Sequence, residues 1–232
     1  MTDTTQLCAR LSAIPTGTLA TILRQRGLHH VWMDGPVPLQ PGQRPIAGPA
    51  FTLRYVPARE DMTTAESLAG PVSSRKAVET MNEGCVVVAD AMGLRRAGVM
   101  GDILCARMQF RKVAGLVTDG AVRDRGALRD LGFPVWAQGA AAPPSLSALH
   151  YVEAQTVVGC GGVAVWPGDL IVADEDGAIV IPRALAADVC AQAGDKEAFE
   201  RWVLDQVRGG ASLDGLYPPS ARTKARFEEE KR

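Results

Sequence analysis

The feature that most constrains this chain is an alternation in its middle: apolar run, helix-like segment, apolar run, helix-like segment, apolar run. Cys85-Val-Val-Val-Ala ends at Asp90, Val113-Ala-Gly-Leu-Val-Thr ends at Asp119, and Phe133-Pro-Val-Trp-Ala closes the series. Between them, Asp102 to Lys112 and Ala121 to Leu131 read as helices, the second stopped by Gly132. An apolar run without alternating polar residues is a strand covered on both faces. Strand, helix, strand at this spacing predicts right-handed crossovers between adjacent parallel strands. In open α/β sheets, ligands bind at the loops after the strand C-termini, so the residues following Asp90 and Asp119 are the first place to look for chemistry.

The flanks are less regular. Residues 16 to 27 read as a helix, with Thr16 or Thr18 as cap, Leu19, Ile22 and Leu23 on one face, and Gly27 as stop. A connector with five prolines between Val31 and Pro49 suits loops and edge strands before the apolar run Ala50 to Val56. Thr63 to Glu83 is mostly helix-forming. After Pro143-Pro144 the pattern turns to β: Val152 to Val158, Val163 to Trp166, and a hairpin of Leu170 to Ala173 with Ala178 to Ile181 about a Gly-containing turn. Residues 184 to 208 read as one or two helices, and the charged tail from Arg222 to Arg232 reads as a solvated helix or a frayed end. The organisation expected is one α/β domain over residues 1–185 with a helical extension over 186–232, packed on its own or a neighbouring subunit.

Composition removes several function classes. With 25 basic and 26 acidic residues there is no global field to hold a polyanion, so nucleic acid is not the expected ligand. The longest hydrophobic run is five residues, against the roughly 20 that a spanning helix needs, and the polar N-terminus has no secretory pattern; no membrane span and a cytoplasmic location are expected. Five widely spaced cysteines without a CxxC pair argue against a disulfide framework or a zinc site, and three histidines are too few for a His-rich cage. Any metal must therefore be held by oxygen. Gly93 and Gly98 have Walker spacing, but Val99 stands where Lys must follow. Gly159-Cys-Gly-Gly precedes a strand and reads as a tight turn or bulge, and His29-His30 as a surface or capping pair.

What remains lies after two adjacent strands. Gly101-Asp102-Ile103-Leu104 opens a helix whose first-turn amides suit a carboxylate; Asp102 could equally be its cap. Asp119-Gly-Ala-Val-Arg123-Asp124 follows the next strand and sets a guanidinium and a carboxylate on the same rim, where they are either surface charges or part of a site. Together the two clusters can do enolate chemistry. One or two carboxylates with retained waters hold Mg²⁺ or Mn²⁺, a helix end holds an anion, and Arg stabilises negative charge developing on oxygen.

These same residues carry a resemblance. Asp102 and, after twenty intervening residues, Arg123-Asp124, set within Gly101-Asp-Ile-Leu and Val117-Thr-Asp-Gly-Ala-Val-Arg-Asp, resemble the RraA-like family, as do Gly48-Pro-Ala-Phe-Thr and Val165-Trp-Pro-Gly-Asp-Leu-Ile-Val-Ala-Asp-Glu-Asp-Gly-Ala-Ile-Val-Ile-Pro. The likeness covers roughly residues 15 to 185. Its catalytic members are 4-hydroxy-4-methyl-2-oxoglutarate aldolases. It implies a swivelling β/β/α fold, homotrimers or dimers of trimers with sites between subunits, and divalent-metal class II cleavage of a 2-oxo acid to pyruvate, with oxaloacetate decarboxylation alongside.

Carried over by position, the resemblance implies that Asp124 holds the Mg²⁺ or Mn²⁺ and that Arg123 contacts the ketone and enolate oxygen. It also implies that the Gly101–Leu104 segment, through the amides around Ile103 and Leu104, holds the substrate carboxylate, and that Asp102 orients a proton-donating water. Glu197 and Glu200 are candidates for an acid contributed by a neighbouring subunit. Where some members have an acid three positions after the Arg-Asp pair, this chain has Ala127. The family's namesake instead binds and inhibits ribonuclease E and lacks the metal-holding Asp, which this chain keeps at Asp124. A non-catalytic regulator is thus the alternative.

Overall fold

Two helices at the start of the chain bury one face each. In the computed structural model, which describes residues 4–231, α1 (Thr4–Leu11) turns Leu7 and Leu11 inward and α2 (Thr16–Gln25) turns Leu19, Ile22 and Leu23 inward. Neither Thr16 nor Thr18 caps α2. Pro15 holds the N-cap position without a side-chain bond, while Thr16 Oγ1 donates to Asp174 at 2.8 Å and Thr18 Oγ1 donates to Glu197. Gly27, at φ 83°, ends the helix as expected, with the Leu28 amide returning to the Leu23 carbonyl at 3.0 Å.

The connector carries β1 (Trp32–Met33) and β2 (Val37–Pro38) before the long β3 (Ile46–Pro57). The helix expected from Thr63 to Glu83 is two: α3 (Ala65–Ala69) and α4 (Ser74–Thr80). Pro71 has no amide to donate and disfavours a helical residue before it; Gly70 accordingly sits extended at φ −65°, ψ 171°. Ser73 then restarts the helix by capping the Lys76 amide.

The central alternation follows as β4 (Val86–Asp90), α5 (Asp102–Phe110), β5 (Gly115–Thr118), β6 (Ala121–Val122), α6 (Arg125–Leu131), β7 (Val135–Ala137) and β8 (Gly139–Ala140). β3, β4, β5 and β7 are successive parallel neighbours. Both faces of β4 are covered, which is why its sequence does not alternate: Val87 and Ala89 pack with Cys105, Met108 and Leu128 of the crossover helices, and Val86 and Val88 pack with Val158, Cys160 and Val163 on the opposite side. One expectation here fails. Residues 121–124 are not helical, because tertiary bonds claim their backbone: Ala121 accepts from Val99 at 2.8 Å, Val122 accepts from Ala141 at 2.9 Å, and the Arg123 amide donates to Met100 at 2.8 Å. Local propensity yields to these bonds.

The β-rich half contains β9 (Leu149–Ala154), β10 (Val158–Cys160), β11 (Val163–Val165), β12 (Leu170–Asp174) and β13 (Gly177–Ile181). β9 runs antiparallel to β3, so strand begins at Leu149 rather than Val152 and stops before Gln155, whose φ is 58°. Gly161 and Gly162, both at positive φ, make the tight β10–β11 turn. β12 pairs with β13 and with the first residues of β3, joining the halves into one sheet ordered β1-β13-β12-β3-β4-β5-β7-β2, with β9 beside β3.

α7 (Ala186–Arg208) is a single helix, and α8 (Ala221–Glu230) is helical as the charged tail allowed. Val189, Cys190 and Ala193 of α7 share a core with α1, α2, β12 and β13. Farther along, Phe199 and Trp202 meet Phe227 of α8 at ring centroids 5.1 and 5.7 Å apart. Among the described residues no helix is long and apolar enough to cross a membrane.

Asp119 ties the loops together where β5 ends. It is buried, and its carboxylate accepts from the amides of Ala91 at 2.7 Å, Gly93 at 3.0 Å and Gly161 at 3.3 Å. Burial raises its pKa above the ordinary carboxylate value, although these bonds pull it back. Asp119→Asn would turn one of those acceptors into a donor facing an amide, so we expect a loss of about 1–3 kcal/mol in a urea titration. An unchanged midpoint would show that the three bonds do not hold the loops.

Candidate active site

The loop after β4 and the segment after β5 meet as backbone before they meet as side chains. Gly98 bridges to Ala121 in a parallel sense, and the Val99–Ala121 and Arg123–Met100 hydrogen bonds continue the contact. The approach requires glycine. A Cβ on Gly98 would overlap Arg123 Cγ and lie 2.8 Å from the Arg123 amide nitrogen, and one on Gly101 would overlap Asp124 Oδ2.

Arg123 and Asp124 line the same cleft as Gly101, Asp102, Ile103 and Leu104, with a volume of about 600 Å³. Arg123 is half-buried, and its Nε is buried with no partner among the described residues, a cost tolerated where a ligand supplies the acceptor. Asp124 adopts the left-handed conformation, φ 57° and ψ 40°, at the N-cap of α6. Asp is among the few residues that tolerate it, and such strain gathers at functional sites. Its side chain caps nothing. The carboxylate is exposed to the cleft instead of being spent on the helix.

Asp102 is not the N-cap of α5; Gly101 is, and Asp102 is the first helical residue. Its Oδ1 accepts from the Ile103 amide at 2.7 Å. One of the two amides expected to receive a substrate carboxylate is therefore engaged by Asp102 in this state, while Leu104 lines the cleft one position on. Glu197 and Glu200 are elsewhere. They sit on α7, where Glu197 accepts from Thr18 and Glu200 pairs with Lys196, and neither lines the cleft within one chain.

Another part of the lining has no counterpart in the sequence reading. α4 contributes Ser74, Arg75, Val78 and Glu79, and α5 contributes Arg107. Arg107 grips Glu79 through three bonds, Nε at 2.9 and 3.2 Å and a terminal nitrogen at 2.7 Å, and this pairing holds the Glu79 carboxyl below its ordinary pKa. Only the Gly70-Pro71 break could have signalled that a separate helix begins at Ser74.

A divalent ion fits this donor set in one manner. Among the described residues no three His, Cys, Asp or Glu side chains converge, so a closed protein cage is not available, whereas Mg²⁺ is commonly held by one or two carboxylates plus waters and substrate oxygens. Asp124, its carboxylate spent on no helix cap and lying against Gly101, is the residue suited to that role.

The family model described as RraA-like, Aldolase/RraA, matches residues 5–180. The chain belongs to the RraA-like family. A relative from Halalkalibacterium halodurans, provisionally named a 4-hydroxy-4-methyl-2-oxoglutarate aldolase, is 35% identical over 150 residues, 62% of this chain and 71% of its own. A Thermus thermophilus protein with the same provisional name is 37% identical over 110 residues, 47% of this chain and 66% of its own. Among solved structures, Streptomyces coelicolor RraAS2, described as an unusual member of the RNase ES inhibitor RraA protein family, superposes with a TM-score of 0.76 at 33% identity. The match covers 85% of this chain and 94% of that one. The mixed sheet, its flanking helices and the β/β/α arrangement are those of this family.

The two glycines should separate in effect. Gly98→Ala pushes against backbone and should lower the melting midpoint, by about 1–3 kcal/mol of stability. Gly101→Ala meets the end of a movable side chain, so it should melt near wild type while a crystal structure shows the Asp124 carboxylate displaced. Equal melting losses, or an unmoved Asp124, would contradict this reading of the loop contact.

Proposed function

We propose that this RraA-like protein is a class II aldolase dependent on Mg²⁺ or Mn²⁺. It would cleave a 4-hydroxy-2-oxo acid such as 4-hydroxy-4-methyl-2-oxoglutarate to pyruvate and decarboxylate oxaloacetate through the same enolate. The observation that carries this reading is the uncapped Asp124 carboxylate held beside the orphaned Nε of Arg123 in one cleft. A divalent ion at Asp124 would supply Lewis-acid polarisation of the 2-oxo acid.

The chain's own residues do the rest. Arg123 donates to the C2 oxygen, more strongly as that oxygen gains charge. The start of α5 at Leu104, and at Ile103 once Asp102 releases that amide, receives the C1 carboxylate. In cleavage, the C4 hydroxyl passes its proton through a water to the Asp102 carboxylate, the C3–C4 bond breaks into a new carbonyl, and the electron pair becomes the enolate of pyruvate. In decarboxylation, the same bond releases CO₂ and leaves the same enolate. Asp102 orients the water that returns a proton to C3.

Likeness to RraAS2 supports the rival reading, a protein that binds and restrains a ribonuclease. The retained Asp124 favours the enzyme. The test is pyruvate release from oxaloacetate and from 4-hydroxy-4-methyl-2-oxoglutarate, with Mg²⁺ and with a chelator. Asp124→Ala should abolish both activities together, and the chelator should do the same to the unmodified protein. Arg123→Lys should lose about 10²- to 10³-fold in turnover, since a point charge cannot replace the guanidinium fork. Metal-dependent activity at wild-type level in Asp124→Ala would refute the assignment of Asp124. If the unmodified protein releases no pyruvate from either acid, the regulator reading replaces the enzyme.

A further inference from the structure

Beside the cleft lies a second, smaller chamber that the reaction just described does not use. It measures about 20 Å³ and shares Leu68, Ser74 and Ser145 with the cleft, so the two spaces adjoin. Hydroxyls dominate its lining. Tyr55 of β3 reaches it with only 2% of its surface exposed, and among the described residues its hydroxyl has no hydrogen-bond partner. The ladder between β3 and β9 slips by one residue at this place, passing from Arg54 opposite Glu153 to Tyr55 opposite Tyr151. A bulge of this kind re-aims a side chain, and the Tyr55 ring stands edge-on to Tyr151 with centroids 5.6 Å apart.

A buried hydroxyl left unbonded is costly, so an orphan of this kind marks a place for a bound partner. Burial raises the Tyr55 pKa, and the Ser74 hydroxyl pulls it partly back without standing in bonding geometry. The group therefore stays protonated, a donor in need of an acceptor. Other hydroxyls of the chamber are spent. Thr63 bonds His150 Nδ1 at 3.0 Å and accepts from the Arg59 amide, while Ser67 and Ser73 donate to the carbonyls of Thr64 and Gly70. Ser74 differs, because Ser73 already caps α4 and leaves the Ser74 side chain free of that task. A water needs about 10–15 Å³ and about two to four polar partners. The chamber supplies the space, and Tyr55 and Ser74 supply two partners.

Resting on the aldolase reading for the places of C1 and C2, we infer that Tyr55 is a positioning residue that acts on the substrate through one ordered water and Ser74. Tyr55 donates to the water, and the water donates to Ser74 Oγ. With that acceptor site filled, the Ser74 hydroxyl has its own hydrogen left to donate into the cleft. The C1 carboxylate and the C2 oxygen are held at the start of α5 and at Arg123, so the first oxygen left for Ser74 is the one on C4. The C4 hydroxyl points its hydrogen toward the water beside Asp102, which leaves its oxygen to accept from Ser74. The hydroxyl chain thus orients the C4 oxygen for the bond cleavage next to it.

A high-resolution crystal structure of the unmodified protein should show one water within hydrogen-bond distance of both Tyr55 Oη and Ser74 Oγ, and Tyr55→Phe should lose that water with the fold unchanged. In cleavage of 4-hydroxy-4-methyl-2-oxoglutarate, Tyr55→Phe and Ser74→Ala should each lower kcat/KM by about 2- to 10-fold, the scale of one neutral hydrogen bond. Because Tyr55 acts through Ser74, adding Tyr55→Phe to Ser74→Ala should cost nothing further, whereas independent damage to packing would add. A dry chamber, additive losses, or unmodified kcat/KM in Tyr55→Phe would overturn the inference. If the hydroxy acid is not cleaved, its calorimetric affinity in the presence of Mg²⁺ replaces kcat/KM in the same cycle. A water bridge with coupled losses of affinity would then leave the inference standing while the lyase reading fails; uncoupled losses, or none, would refute it.

Discussion

The placement of Arg123 and Asp124 depends on a short parallel backbone contact between the loop after β4 and the segment after β5. Val99 donates to Ala121, and Arg123 donates to Met100, both at 2.8 Å. The Ala121 carbonyl, and that of Val122 bonded by Ala141, are acceptors a helix would need, so α6 starts at Arg125 and the two residues before it are left as a corner. The corner sets Asp124 in the left-handed conformation and turns its carboxylate away from helix capping. It also demands Gly98 and Gly101, because a Cβ at either position would occupy the space of Arg123 or Asp124. Asp119 anchors the same region from below by joining the loops after β4 and β5 to the β10–β11 turn.

Much of the scaffold was legible in the sequence because its signals are local. Cys85 to Ala89 is apolar without alternation, and its strand is covered on both faces. Gly27, Gly132 and the Gly161-Gly162 pair sit at positive φ where stops and turns were expected. The illegible parts were decided by long-range contacts. Ala121-Val-Arg-Asp is good helical sequence, and it is kept from a helix by the amides of Val99 and Ala141 and the carbonyl of Met100, all far away in the chain. Thr16 and Thr18 have the right chemistry for caps but are drawn to Asp174 and Glu197, residues far along the chain.

The site divides in the same manner. Asp102, Arg123 and Asp124 were placed on one rim by strand order, and they line one cleft. Their spacing does not reveal that Asp102 engages the Ile103 amide, nor that α4 lines the same cleft with Arg75 and Glu79. That lining exists because Pro71 ends one short helix and Ser73 caps another, so that α4 starts at Ser74 and adds Ser74, Arg75, Val78 and Glu79 to the cleft. Glu197 and Glu200 lie in the α2–α7 contact of their own chain, away from this cleft.

The central claim is that the loop contact assembles one metal-assisted site for a 2-oxo acid at Asp124 and Arg123. A crystal structure of the protein grown with Mn²⁺ and oxalate, a planar mimic of the enolate, tests it most directly. The account predicts an anomalous Mn²⁺ peak in direct coordination to an Asp124 carboxylate oxygen, with oxalate bridging from the metal to the Arg123 guanidinium. A Mn²⁺ ion bound elsewhere, or oxalate seated without contact to Arg123, would contradict it.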